Sequence, residues 1–169
     1  MTTLSTWRFA TAEGAEAALR TLERLQYRQW VTVEDVAVVA WPAGAGRPRS
    51  YQVGNAAGSA ALSGAFWGLL FGLVFLLPLA GSAADAASGE RDPAADLSRV
   101  GFPEEFLQRL RDRIAPGTSA LFLLSTEDQL DRLREAFTGT EADLLVSELS
   151  REQDAALRRA FDADDLIDR

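Results

Sequence analysis

From Ser50 to Ala84 no residue carries a charge. A chain that holds such a stretch must bury it in protein or place it in lipid, and either demand limits the folds open to it. Ala56–Leu77 is 22 residues long, which as a helix spans about 33 Å at 1.5 Å per residue. That is close to the roughly 30 Å of a bilayer's hydrocarbon layer. Phe66, Trp67, Leu69, Leu70, Phe71, Leu73, Val74, Phe75, Leu76 and Leu77 supply its bulk. The small residues fall on a line: Ala56, Ala60, Gly64, Gly68 and Gly72 recur at steps of four. Such a ridge permits close approach of two helices. Each glycine costs about 1 kcal/mol against alanine inside a helix, so tight backbone packing is the expected compensation.

Pro78 breaks the run, and Leu79–Ser88 is expected to return antiparallel, with Ala80, Ala84 and Ser88 again four apart. The reading is a glycine-zippered helical hairpin. Its return limb carries Asp85, and a carboxylate at mid-bilayer costs on the order of 2.5–3.5 kcal/mol. A re-entrant or interfacial wedge, or the centre of a homo-oligomer, therefore fits better than two full spans.

The flanking segments read as a soluble domain. Leu4–Ala10 alternates as a strand, and Ala15, Ala18, Leu19, Leu22 and Leu25 form a helical stripe after Thr11. Val31–Trp41 is β-branched and stops at Pro42; Ser50–Val53 continues as a short strand. The second half repeats the plan. Ser119–Leu124 is a strand, Thr126 with Gln129 has capping-box spacing, and Leu130, Leu133 and Phe137 give a helix stripe before the strand Glu141–Leu149. "VEDVAVV" and "EADLLVS" hold equivalent places.

Two β-α-β units of this kind predict an α+β, ferredoxin-like repeat with the long hairpin inserted between its halves. Residues 1–54 and 101–149 would form the discontinuous domain, 55–100 the insertion, and 150–169 a C-terminal helix and acidic tail. The helix over Pro103–Ile114 belongs to the second part, and Ser150 with Gln153 caps the last helix. Val36–Trp41, Leu121–Leu124 and Leu144–Val146 are apolar on both faces. The face that the repeat's helices leave open must be covered by the insertion or by a second subunit. Because neither half closes a sheet alone, both halves must share a compartment, and the run cannot cross a membrane once.

Composition narrows the chemistry. The chain has no His, no Cys and no Lys, and its net charge is −8. Imidazole bases, thiolates, common zinc sites and Schiff-base lysines are excluded, and an acidic chain does not attract nucleic acid. The N-terminus shows no secretory pattern, which predicts a cytoplasmic location.

Other candidates read as structural. Adjacent Glu34 and Asp35 point to opposite sides of a strand, so a solvated turn is expected rather than an acid–base pair. Glu104 and Glu105 suit a helix's first turn. Asp162, Asp164, Asp165 and Asp168 lack a calcium loop's glycine and closing glutamate. "GNAAGSAALSG", residues 54–64, lacks a phosphate loop's lysine. Arg109, Arg111 and Arg113 share no helix face. Arg47 and Arg49 could meet lipid phosphates. Trp41 reads as core or as an interfacial anchor.

The succession "VEDVAVV", a turn, "AGSAALSGAFWGLLFGLVFLLPLAG" and "RVGFPEEFLQRLRDRIAPGTSALFLL" resembles a bacterial family, domain of unknown function 1269, described as predicted membrane proteins. The likeness spans roughly Leu4–Phe161 and implies no biochemical activity. This chain departs from members with a richer second glycine limb at Asp85, Glu90 and Arg91.

The expectation is therefore a non-enzymatic protein without catalytic, cofactor or metal site. It would associate with itself, or attach peripherally to the inner face of the cell membrane, through Ala56, Ala60, Gly64, Trp67, Gly68, Phe71, Gly72, Phe75 and Pro78. The alternative is a soluble, dimeric small-ligand binding or sensor module of the same fold.

Overall fold

In the computed structural model of the chain, residues 2–54, 67, 70, 71, 74, 104–139 and 142–161 are described, without the side chains of 104 and 157–161. The elements are β1 (Thr2–Phe9), α1 (Gly14–Tyr27), β2 (Asp35–Ala40), β3 (Arg49–Gln52), α2 (Glu104–Arg113), β4 (Ser119–Thr126), α3 (Leu130–Ala136), β5 (Asp143–Leu149) and α4 (Arg151–Phe161). The protein is a mixed α/β structure with one five-stranded antiparallel sheet in the order β3-β2-β4-β1-β5.

The order interleaves the two halves of the chain. β4 lies between β1 and β2, pairing Leu4 with Leu124 on one side and Val36 with Leu123 on the other. β1 in turn lies between β4 and β5, with Trp7 opposite Leu144. Residues 2–54 and 104–161 thus contribute to one sheet, and an odd number of membrane crossings between them is excluded.

Both faces of the sheet are covered within the chain. On one, Trp7, Phe9, Val36, Val38, Leu121 and Leu123 pack against Ala15, Leu19 and Leu22 of α1 and Leu133 of α3, with Phe137 beyond it. The Phe137 ring meets Trp7 edge-on at 4.9 Å. On the other, Leu4, Ala37, Val39, Phe122, Leu124 and Leu145 pack against Phe106, Leu107 and Leu110 of α2 and against Trp67, Leu70, Phe71 and Val74 of the apolar run. Residues of the insertion thus lie on this face together with α2. Burying each large side chain here is worth about 1.5–3 kcal/mol.

Local signals held in some places and failed in others. The capping box at α4 forms: the Ser150 N–H donates to Gln153 Oε1 at 2.9 Å, and the Gln153 N–H to Ser150 Oγ at 3.2 Å. The box at Thr126 does not. Thr126 makes no side-chain cap, and Gln129 Oε1, the other half of the box, is taken by the Thr32 N–H at 3.0 Å. The strand expected over Val31–Trp41 is regular only from Asp35 to Ala40. α1 starts at Gly14, three residues beyond Thr11, and Ser119 of β4 holds that start. The acidic residues at 162, 164, 165 and 168 lie outside the described residues.

Candidate functional site

β2 opens with Asp35, which has no exposed surface. Its side chain shares the sheet face of Ala37 and Val39, the face on which the apolar run lies. A buried carboxylate must be hydrogen-bonded or paired. Here Oδ1 accepts the Val36 N–H at 2.9 Å and the Gln52 Nε2–H at 3.3 Å. Oδ2 accepts Gln52 Nε2–H at 3.0 Å and the Trp67 indole N–H at 3.3 Å. Gln52 reaches it because β3 ends opposite Ala37, two residues along β2. The turn after β3 is also fixed to β2: the Val53 N–H donates to Val36 O at 2.7 Å.

These four hydrogen bonds all run from donors to carboxylate oxygens, so they suit a group that only accepts. The solvated turn expected at Glu34–Asp35 is thereby corrected for Asp35. The sequence signal was ambiguous because Trp67, 32 residues away, supplies part of the environment. Glu34 is half-buried, and its N–H donates to Leu124 O at 2.7 Å.

Of the residues expected at an interface, Trp67 and Phe71 are described. Trp67 is 2% and Phe71 6% exposed. Their ring centres lie 5.8 Å apart, and both approach Phe122 of β4 edge-on, at 6.3 and 5.0 Å. With Leu70 and Val74 they occupy i, i+3, i+4 and i+7, one stripe of a helix turned to the sheet. Ala56, Ala60, Gly64, Gly68, Gly72, Phe75 and Pro78 lie outside the described residues. Trp41 is core, with its indole N–H donating to Ala45 O at 3.0 Å.

Elsewhere the polar chemistry is sparse. Arg8 Nη1 lies 3.0 Å and Arg113 Nη1 3.6 Å from Asp143 Oδ2, tying β1 and α2 to β5. All three side chains are partly exposed, where ion pairs add little. Among the described residues no group of three or more His, Cys, Asp or Glu side chains converges to hold a metal. Among them, too, no helix is long and apolar enough to cross a membrane. A cleft of about 320 Å³ between α1 and α3 is lined by Phe9, Gly14, Ala18, Thr21, Ala136 and Phe137, among others.

Residues 61–162 match the family described as protein of unknown function (DUF1269). The matched stretch takes in the apolar run from Ala61 together with α2, β4, α3, β5 and α4. Asp35 and Gln52 precede it, so the Asp35–Trp67 hydrogen bond joins the matched part of the chain to the rest. No curated protein and no solved structure matches the chain.

Proposed function

The chain belongs to the DUF1269 family, and from that premise we propose that its apolar run is the working part of a non-enzymatic, self-associating protein. In this reading the fold is ferredoxin-like, with a glycine-zipper hairpin between its two β-α-β halves. Hairpins of different copies pack through the line Ala60, Gly64, Gly68 and Gly72, either in a homo-oligomer or as a peripheral, re-entrant attachment to the cytoplasmic face of the membrane.

The observation that carries the proposal is that the run is long, free of charge and marked by a line of small residues. Trp67, Leu70, Phe71 and Val74 form one stripe on the sheet. The sequence supplies Phe66, Leu69, Leu73, Phe75, Leu76 and Leu77 beyond that stripe. A long uncharged segment with a ridge of small residues is suited to packing against another helix. The family match supports the same emphasis, since it takes in the run and leaves out β1–β3. The interleaved strand order supports the ferredoxin-like reading, with β3 as an added edge. The absence of His, Cys and Lys from the sequence supports a role other than catalysis.

Gly68→Leu is the direct test. A leucine on the small-residue line holds the helices apart, so light scattering should report a smaller particle than for the parent. An unchanged particle refutes the glycine line as an interface. Fractionating a detergent-free lysate separates the two versions: a soluble particle of defined size indicates the oligomer, and a pellet released by detergent indicates lipid.

The cleft between α1 and α3 favours a second reading, a small-ligand binding module. A ligand that binds the folded state raises its melting temperature, which thermal-shift screening with amphipathic compounds would reveal.

A further inference from the structure

We propose that Asp35 is the positioning residue that selects which side of the apolar run lies on the sheet. Between Gly64 and Pro78 the side chains are those of Gly, Ala, Phe, Trp, Leu and Val. A helix apolar on all sides has no amphipathic preference of its own. Away from the glycine line, hydrophobic burial follows area and has no direction, so rotations that bring different large side chains to the sheet are nearly equivalent. Within that stretch the indole N–H of Trp67 is the one side-chain group able to donate a hydrogen bond. It donates to Asp35 Oδ2 at 3.3 Å.

The acceptor is held by groups outside the run. Val36 and Gln52 hold the carboxylate through both oxygens, and both belong to the β2–β3 hairpin. Turning Trp67 away from the sheet would pull a buried N–H off that acceptor and strip one bond from a buried carboxylate, and each is costly. The rotation that keeps the bond is the one observed, with Leu70, Phe71 and Val74 following Trp67 into the core. A single buried polar group that fixes the register of an otherwise apolar contact is an established use of such groups. The inference concerns docking of the run on its own sheet, and it stands whether or not copies associate.

The chain has no cysteine, so Val74→Cys places one thiol in the docked stripe, and its rate of reaction with Ellman's reagent reports undocking. Two further changes are made in that background. Asp35→Asn keeps the shape but turns an amide N–H₂ toward donors. Trp67→Phe keeps an aromatic ring and removes the N–H. The expected result is a rate at least tenfold higher in each, with hydrogen-exchange protection of β1 and β4 retained. A parental rate in Trp67→Phe overturns the proposal, as does a parental rate in a folded Asp35→Asn. Loss of β1 and β4 protection in Trp67→Phe also overturns it, because the bond would then hold the domain rather than the run. Where Asp35→Asn does not fold, Trp67→Phe decides. Failure here leaves the Gly68→Leu result untouched, and the reverse holds.

Discussion

Ser119 Oγ accepts the backbone N–H of Ala15 at 2.9 Å and donates to Thr11 O at 2.6 Å. A residue of β4 therefore does for α1 what a local N-cap normally does. Gly14, the first helical residue, sits so close to β1 that a Cβ there would lie 2.5 Å from Phe9 Cβ. The start of α1 is set by the strands beneath it.

Ser119→Ala removes that cap and should lower stability by about 1 kcal/mol, as other cap deletions do. Gly14→Ala should lower it by more, since backbone or Phe9 must shift to admit the methyl group. Urea unfolding of the two variants, compared with the parent, checks both the sign and the order.

Thr6 Oγ1 is buried without a hydrogen-bond partner, on a residue flanked across the sheet by Phe122 and Leu145. Leaving a buried hydroxyl unsatisfied costs about 1–3 kcal/mol. Thr6→Val replaces it with a methyl group of similar shape and should raise the melting temperature, as calorimetry would show. A fall would mean that the hydroxyl is satisfied in solution.

Partial burial pushes the Tyr51 phenol above its ordinary value of 10.0, and the carboxylates of Glu16 and Glu23 push the same way. The Tyr51 hydroxyl donates to Glu16 Oε1 at 3.5 Å. A raised folded value means that this contribution to stability is complete below pH 10.0 and is lost as pH rises through the folded value. Glu16→Gln should let the phenol ionise at lower pH. The chain has two tyrosines, so ultraviolet titration in a Tyr27→Phe background isolates Tyr51.

Asp128 is displaced the other way. The Thr126 hydroxyl holds its carboxyl below the ordinary 3.8, with help from Gln129, whose Nε2–H donates to Oδ2 at 3.1 Å. A lowered value means that its contribution is present above pH 3.8 and is lost as pH falls through the folded value. Thr126→Val should raise the Asp128 titration midpoint, observable by carboxyl-carbon NMR.

Much of the fold was legible because its cues are local. The α1 stripe, the β-branched run before Pro42 and the Ser150–Gln153 spacing each act within a few residues. What was not legible depends on partners far along the chain. Thr126 and Gln129 had the spacing of a cap, yet the backbone of Thr32 claimed Gln129. Asp35 had the surroundings of a turn residue, yet β3 and the apolar run enclose it. The uncharged stretch announced itself as something to bury, but no pattern within it foretold that Trp67 would choose the side.

The place of β4 between β1 and β2 orders events during synthesis. Until Ser119–Thr126 has been made, β1 and β2 have no strand to join them to each other, although β2 can pair with β3. Structure that waits for distant pairing forms slowly and invites misassociation.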